Sequence, residues 1–395
     1  MRRNHLFQLL ALLPVYMLCV ACQSDDTDHD DIDFTSYTLR SAEGDDDATS
    51  GVVSTIYITY SEGSATVTGD TNGYVSVSGA DVTVDTGTSS DSLLIVLSGS
   101  TSDGSLLVNR TKKYGLQLNG VSIANADGPA INNQCGKSLY VYLADGTTNT
   151  LSDGTAYTEQ TYDQKGTLFS EGQLFFMGTG KLSVTGNCKH AIACDDYIVV
   201  SEGDITATTS TGNAIKVNDG IWINGGTLDL STTAAGGRGI KCDSVVVITG
   251  GDVTILTEGD CKTETVDGVE DITSAACIKC DSTFTMSGGT LTMTSTGDGG
   301  KCISSDKDIR FSGGTLYAVT TGTNYESKPK AIKSETAIVV SGGSFWAQVD
   351  KSFACDNGYD DDTITDDDEL AKLRITVEGS PQTATVTKKL VKIVY

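Results

Sequence analysis

The sequence predicts an all-β protein built as a right-handed parallel β-helix. The composition combines 44 glycines and only 4 prolines with abundant threonine, serine, valine and isoleucine. Such a composition is typical of many short strands joined by turns. In addition, one short pattern returns six times between residues 190 and 347, which is typical of a protein made of stacked coils.

Each repeat contains an apolar row, a β-branched run and a glycine that precedes another strand. The repeats are HAIACDDYIVVSEGDITA (190–207), NAIKVNDGIWINGGTLDL (213–230), RGIKCDSVVVITGGDVTI (238–255), ACIKCDSTFTMSGGTLTM (276–293), KCISSDKDIRFSGGTLYA (301–318) and KAIKSETAIVVSGGSFWA (330–347). Their glycines are separated by 23, 25, 38, 25 and 29 residues. Because one coil cannot bury its apolar side alone, coils stack about 4.8 Å apart and equivalent residues form columns. The usual handedness of parallel crossovers makes the helix right-handed.

Alternation along the strands predicts two interior columns. The first column is Ile192, Ile215, Ile240, Ile278, Ile303 and Ile332, and the second is Cys194, Val217, Cys242, Cys280, Ser305 and Ser334. The apolar neighbours of these cysteines predict that they pack in the core and are not reactive. Zinc is disfavoured, because no cysteine pair has a second pair or a histidine at zinc spacing.

The residues between the interior columns point outward and carry charge. One outward column contains Lys216, Lys241 and Lys279, and two positions further along lies a column with Asp195, Asp243, Asp281 and Asp306. Like charges about 4.8 Å apart repel by roughly 1 kcal/mol even in water, so lysine beside aspartate would neutralise both columns. The functional alternative is that the four aspartates bind a hard cation such as calcium while the lysines face an anionic polymer.

Aromatic residues provide a second indication of a binding surface. The alternation places Tyr317 and Trp346 on neighbouring coils of one flat face, and it also points Trp222 outward from an earlier strand. Exposed rings usually mark a contact surface, and flat rings stack on the C–H faces of sugars. The alternative is that a C-terminal cap covers Trp346, because the end of a solenoid must be protected.

The formal charge of −25 restricts the choice of partners. It argues against nucleic acid, because phosphate neutralisation needs a basic face. Divalent cations are compatible with this charge. Two acidic segments, 259–274 and 356–369, supply oxygen ligands, but neither has the spacing of a defined calcium loop.

The N-terminus predicts export. MRRNHLFQLLALLPVYMLCVAC has two arginines and an apolar run too short for a membrane span, which is typical of a secretory signal. LCVAC resembles a bacterial lipobox, so Cys22 is the predicted lipidation site; the alternative is an ordinary cleaved signal. The acidic residues 23–50 cannot bury enough apolar surface to fold, which predicts a tether to the outer membrane and exposure at the cell surface. We expect a β cap with early coils over 51–115, the β-helix over 116–355, and an acidic loop with a C-terminal cap over 356–395.

Two blocks resemble a known family. LQLNGVSIANADGPAINNQCGKSLYVYLADGTTNTLSDG (116–154) and GTLFSEGQLFFMGTGKLSVTGN (166–187) are similar to the secreted carbohydrate-binding parallel β-helix family, and the resemblance extends over roughly residues 90–345. It implies a fold similar to polysaccharide lyases, binding of acidic, pectin-like polysaccharide, and calcium. One departure is that the family commonly has aspartate before the Gly-Ile turn. Asp127 keeps that aspartate in an earlier coil, but the corresponding later residues here are His190, Asn213, Arg238, Ala276 and Lys330.

These observations favour a non-catalytic, lipid-anchored carbohydrate-binding protein. The first alternative is a calcium-dependent polysaccharide lyase in which Lys241 or Lys279 acts as the base. However, an exposed lysine beside carboxylates stays protonated and is therefore a poor base. The second alternative is a surface adhesin or structural stalk. Nucleophilic hydrolysis is disfavoured, because no G-x-S-x-G elbow lies between a strand and a helix.

Overall fold

The computed structural model describes residues 53–89, 91–266 and 269–395. The predicted signal, the tether and Cys22 lie outside the described residues. Within these residues the chain forms a parallel β-solenoid of about 11 turns, so the predicted fold class is confirmed. No helix among them combines the length and the apolar character needed to cross a bilayer.

Each coil contributes strands to three stacks, which we number in chain order within the coil. Stack one is a 12-stranded sheet of β3 (Val75–Ser78), β4 (Asp81–Gly87), β6 (Ser105–Arg110), β8 (Ile131–Asn133), β11 (Gly166–Ser170), β14 (His190–Cys194), β17 (Ile215–Val217), β20 (Arg238–Cys242), β25 (Ala276–Cys280), β28 (Lys301–Ser305), β31 (Lys330–Ser334) and β34 (Cys355–Asp356). All its neighbours are parallel except the β3–β4 pair.

Stacks two and three belong to one larger sheet. Stack two contains β1 (Ser54–Ser61), β5 (Leu93–Thr101), β7 (Tyr114–Asn125), β9 (Leu139–Leu143), β12 (Leu174–Met177), β15 (Tyr197–Val200), β18 (Gly220–Ile223), β21 (Val245–Ile248), β26 (Phe284–Met286), β29 (Ile309–Phe311), β32 (Ile338–Val340) and β35 (Thr376–Val377). Stack three contains β10 (Thr148–Asp153), β13 (Lys181–Gly186), β16 (Asp204–Thr209), β19 (Thr227–Thr232), β22 (Asp252–Thr257), β27 (Thr290–Ser295), β30 (Thr315–Thr320) and β33 (Ser344–Val349). The long strand β7 pairs with both β9 and β10 and so joins the two stacks.

Antiparallel strands protect both ends of the solenoid. At the start, β2 (Ser64–Thr68) folds back on β1. At the end, β37 (Leu390–Val394) pairs with β33, and β36 (Thr383–Val386) pairs with β37. A short helix, α1 (Asp367–Leu373), precedes them, and its N-cap residue is Asp366. These antiparallel pairings cover edges that would otherwise recruit further strands.

The predicted interior columns are present. Each isoleucine of the first column lies in register with the next, and all six have at most 2% of their surface exposed. The second column is buried as well, and its cysteines are free thiols. Burial raises the pKa of Cys242 to about 12, which keeps this thiol protonated and unreactive. Each fully buried isoleucine of the first column contributes roughly 1.5–3 kcal/mol to stability.

The recurring Gly-Gly pair marks the turn between stacks two and three. Gly251 has a φ of +81°, and a Cβ at this position would lie only 2.8 Å from the carbonyl oxygen of Gly225 on the previous coil. The turn therefore needs glycine for both its backbone conformation and the close approach of the next coil.

Asn149 links the LNGVSI and LADGTTNTL blocks of the earlier coils. Its side-chain oxygen accepts hydrogen bonds from the backbone N–H groups of Gly120 and Val121 at 2.9 and 3.0 Å. Its amide nitrogen donates to the carbonyl oxygen of Lys181 at 2.9 Å. This fully buried amide thus connects three successive coils, and its polar atoms are satisfied.

Candidate functional site

The outward face of stack one carries a row of alternating charges, which we call the ion-pair row. Its lysines are Lys216, Lys241 and Lys279, and its carboxylates are Asp243, Asp281 and Asp306. Lys241 lies 2.8 Å from Asp243 on its own coil and 2.7 Å from Asp281 on the next. Each lysine therefore connects neighbouring coils, so repulsion between like charges in the two columns is relieved.

The pKa values agree with this neutralisation. Partial burial raises the pKa of Asp243, but hydrogen bonds from Lys216 and Lys241 outweigh it and hold the pKa below its ordinary value. The pKa of Asp281 is lowered in the same way by Lys241 and Lys279, against the effect of burial. The carboxylates are thus ionised and paired at neutral pH.

This pairing bears on the expected calcium site. Calcium binds carboxylate oxygens at 2.3–2.6 Å and needs six to eight oxygen ligands. The carboxylates of Asp243 and Asp281 already have ammonium groups within 3.0 Å, and Asp306 accepts from Lys279. Calcium at these three aspartates stays a prediction, and it would require their lysine partners to give up the ion pairs.

Asp195 lies in different surroundings from the other three predicted ligands. Its carboxylate is grouped with those of Asp163 and Glu171, with ligand oxygens within 4.8 Å of one another. Lys165 pairs with Asp195 and with Asp163, the latter at 2.7 Å. Burial and the nearby charge of Asp195 raise the pKa of Glu171. Calcium at this position remains a prediction, and it requires the Lys165 ammonium to move away.

The outward face of stack two carries four aromatic rings on successive coils, which we call the aromatic stripe. It consists of Tyr140, Phe175, Tyr197 and Trp222, all partly exposed. Tyr140 and Phe175 are in register and stack with centroids 4.8 Å apart. Phe175 meets Tyr197 edge to face at 5.7 Å, and Tyr197 meets Trp222 in the same manner at 5.6 Å. The rings form a continuous row along the solenoid axis.

Gly220 fixes the position of the Trp222 indole. Gly220 has a φ of +147°, and a Cβ there would lie 2.7 Å from Cη2 and Cζ3 of the indole. The ring therefore folds back over its own strand. Since Gly220 pairs with Tyr197 on the previous coil, this conformation brings the indole next to the Tyr197 ring.

Further apolar side chains extend the aromatic stripe toward the N-terminus. Leu94 and Val96 of β5 pack with Tyr140, Tyr142 and Met177 in a hydrophobic cluster separate from the interior core. Leu94 and Val96 are buried, whereas Tyr140, Tyr142 and Met177 are partly exposed. Only these three side chains therefore add to the exposed apolar surface that indicates a contact.

The two other predicted aromatic residues form a separate pair on stack three. Tyr317 and Trp346 are in register, with ring centroids 5.8 Å apart and an interplanar angle of 30°. Tyr317 is 41% exposed. Trp346 pairs with Lys392 of β37, whose Nζ lies 5.2 Å from the ring centroid. The C-terminal cap therefore flanks Trp346 on one side, while Tyr317 flanks it on the other.

The sequence alone did not identify Tyr140, Phe175 and Tyr197. The signal was the alternation in LYVYL and LFFM, where every second residue is an aromatic residue or a methionine facing outward. Within the predicted set, the structure brings the three lysines together with three aspartates. It places Asp195 one coil before them, joined to Lys216 through Asn218. Trp222 is separate from Tyr317 and Trp346.

Comparison with known proteins agrees with this architecture. The family model described as "Carbohydrate-binding domain-containing protein" matches residues 78–244 and 231–324. Among solved structures, the chain is similar to the polysaccharide lyase-like protein from C. thermocellum, described as a gadolinium derivative, with 22% identity and a TM-score of 0.54. That match covers 65% of this chain and 97% of the other, and at this identity it shows the fold alone. A search of curated proteins finds no match.

Proposed function

The chain belongs to the carbohydrate-binding domain-containing protein family, and we propose that it binds a polysaccharide along the aromatic stripe without cleaving it. The observation that carries the proposal is the row of four touching rings from Tyr140 to Trp222. Four coils at about 4.8 Å per step extend over roughly 14 Å. A linear polymer lying along the axis would stack several sugar units on these rings.

The polymer we propose is acidic and pectin-like. The ion-pair row supports this proposal, because its lysines neutralise carboxylates that would otherwise repel a polyanion from stack one. The Tyr317–Trp346 pair supplies a second, smaller contact for the chain. For Lys216, Lys241 and Lys279 to contact the polymer, each must exchange one of its three present acceptors for a polymer oxygen.

Absence of cleavage is part of the proposal. A lyase base must be neutral to accept a proton, and Lys241 and Lys279 each pair with two carboxylates. In these pairs each lysine nitrogen donates to carboxylate oxygens. These lysines are therefore suited to positioning an anion and not to removing a proton.

Calcium and the membrane anchor are further parts of the proposal. The group of Asp163, Glu171 and Asp195 is where we propose that calcium binds, with displacement of Lys165. A calcium ion there would link the protein to uronate carboxylates. We propose that Cys22 carries lipid and holds the protein on the outer membrane, facing outward. Metabolic labelling with palmitate, with Cys22→Ser as the control, tests this last point.

Binding and cleavage can be measured in one experiment. The purified chain is incubated with polygalacturonate, with and without calcium, while retention on the polymer and absorbance of unsaturated product are recorded together. We expect retention without product. Product formation would establish a lyase, whereas absence of retention on acidic and neutral polysaccharides alike would favour an adhesin.

A further inference from the structure

A cleft of about 490 Å³ lies on the outward side of stack one, next to the end of the ion-pair row, since Lys279 and Asp306 belong to its lining. One wall is the end of the hairpin of β23 (Lys262–Val266) and β24 (Val269–Thr273) together with Ser274, and the other wall contains Ser327. The floor includes the first residues of three successive strands, which are in register: Arg238, Ala276 and Lys301. The hairpin is the insertion that lengthens one repeat, so this cleft exists at one place along the solenoid.

Lys301 is buried in this cleft without an acidic partner. It is 4% exposed, and its Nζ donates to Oγ of Ser274 at 2.6 Å, to Oγ of Ser327 at 2.8 Å and to the carbonyl oxygen of Gly299 at 3.3 Å. No carboxylate of the described residues lies within ion-pair distance of it. Burial, together with the nearby charge of Lys333, lowers the pKa of Lys301 to about 8.

Arg238 is a second cation of this kind. Its Nε is buried and has no hydrogen-bond partner, and no carboxylate of the described part of the chain pairs with its guanidinium. Burial lowers its pKa below the ordinary value. The chain has 52 acidic residues and 27 basic ones, so two neighbouring cations without acidic partners are unexpected unless a ligand supplies the negative charge.

Ala276 leaves space between these two cations. Since adjacent coils are about 4.8 Å apart, Arg238 and Lys301 are separated by roughly 10 Å, with only a methyl group between them. A planar anion above Ala276 can accept from the guanidinium on one side and reach the serines on the other. Arginine in particular favours bidentate binding of a carboxylate.

The serine hydroxyl groups complete the set of donors. Because Lys301 donates to both Oγ atoms, the hydroxyl hydrogens must point away from its Nζ. Ser274 donates to Ser327 at 3.4 Å, which leaves the hydroxyl hydrogen of Ser327 for a ligand. The adjacent ammonium polarises this hydroxyl group and makes it a stronger donor to an anion.

The geometry points to a subsite for the carboxylate of a uronic acid residue, formed by Arg238, Ser327 and Lys301 above Ala276. The cleft is also lined by two further lysines, Lys279 and Lys333, and by four acids, Asp271, Asp306, Glu326 and Glu335. These acids accept hydrogen bonds from sugar hydroxyl groups and repel a doubly charged anion such as phosphate. A singly charged carboxylate surrounded by hydroxyl groups fits both requirements. This inference rests on the proposed polysaccharide binding and specifies an acidic sugar as the ligand.

The test compares trigalacturonate with its methyl ester, which has the same shape without the charge. We expect the wild-type chain to bind the acid more tightly than the ester by calorimetry. Arg238→Gln should lower the affinity for the acid about tenfold and leave that for the ester unchanged, because it removes one charged hydrogen-bonding partner. Ser327→Ala, a milder change at a partly exposed position, should weaken acid binding several-fold.

Lys372→Gln is the control, since Lys372 lies on α1 outside the cleft and pairs with Glu369. Thermal melting of each variant identifies loss of fold, and Ser327→Ala keeps the test valid if Arg238→Gln unfolds. If the wild type prefers the acid no more than the ester, the subsite is wrong while polysaccharide binding stands. Binding of neither ligand would contradict the proposed function itself. If the wild type forms unsaturated product and Arg238→Gln does not, Arg238 takes part in cleavage, and the proposal of a purely binding subsite is wrong.

Discussion

The ion-pair row on stack one and the aromatic stripe on stack two are built on the same coils but by different means. The row arises from repetition, because the same lysine and aspartate recur at the same offset in successive repeats. The stripe contains four rings of three residue types, of which the first two stack and the later ones meet edge to face. Each lysine of the row is neutralised by an aspartate of the next coil. The rings of the stripe, by contrast, remain partly exposed.

Because of this difference, we expect the two surfaces to contribute differently to binding. Exposed ion pairs contribute little to stability or affinity, because water screens them. Aromatic rings contribute much more to contacts, since each offers a large apolar area and few rotatable bonds. We therefore expect the stripe to supply most of the binding free energy. We expect the row to determine whether an acidic polymer can approach without repulsion.

Trp222→Ala should have the largest effect on binding. The indole ends the stripe and packs against Tyr197, so its removal takes away one stacking surface and loosens the next. We expect the affinity for a polysaccharide to fall about tenfold or more. Affinity electrophoresis in gels that contain the polymer measures this loss.

Lys241→Met provides the comparison on the other face. If it weakens binding as much as Trp222→Ala, the division of work between the two surfaces is wrong. Melting temperatures of both variants should stay close to that of the wild type, since neither side chain belongs to the interior columns.

Gly220→Val should have the next largest effect. A Cβ at this position would lie 2.7 Å from two indole carbons, and the φ of +147° is unfavourable for valine. The indole must therefore move off its strand and away from Tyr197. We expect a several-fold loss of affinity, together with a shift in tryptophan emission measured in a Trp346→Phe background, where Trp222 is the remaining tryptophan.

Gly225→Ala is a useful control for the glycine effect. A Cβ there would approach the Ser201 carbonyl oxygen, so it disturbs coil stacking but not the indole. Unchanged emission in Gly220→Val would show that the glycine does not set the position of Trp222.

The regular part of the molecule could be predicted from the sequence, and the irregular part could not. Ile240 and Ile278 occur at a fixed offset from a glycine, so their column follows from the period alone. Tyr140 and Phe175 belong to earlier coils whose spacing is less regular, and their alignment with Trp222 depends on how the intervening segment folds. Ser274 and Ser327 come from connections between strands, and no repeat determines where such connections meet.

Trp346→Ala should affect binding less than either change in the stripe. Tyr317 stacks beside Trp346, but Lys392 of the cap strand lies over its ring, so less of the indole is open to a sugar. We expect a loss of affinity of about two- to threefold with the fold retained. Retention on polymer gels and thermal melting measure the two effects separately.

Tyr317→Ala separates the contributions of Tyr317 and Trp346 to binding. Among the described residues, Lys392 of the cap strand lies over the Trp346 ring but no cation of that strand lies over the Tyr317 ring. A broad, less cooperative melt of Trp346→Ala alone would assign Trp346 to the cap. In that case the second contact surface proposed on stack three would be withdrawn, while the stripe would be unaffected.

The smallest effect is expected for the stability of Lys241→Met. Asp243 and Asp281 each lose one ion pair but keep another, with Lys216 and Lys279 respectively. Both carboxylates are more than one third exposed, so the unfolding free energy should fall by less than about 1 kcal/mol. Urea unfolding at low and high salt measures the difference, which should shrink as salt screens the charges.

The pH dependence of this variant follows from the direction of the pKa shifts. Because the folded-state pKa values of Asp243 and Asp281 lie below their ordinary values, the stabilisation is complete above those ordinary values. It is lost as the pH falls through the lowered folded-state values. The wild type and Lys241→Met should therefore differ at pH 7 and converge in strong acid. A difference that persists in acid would mean that Lys241 stabilises the solenoid through packing of its aliphatic chain and not through the ion-pair row.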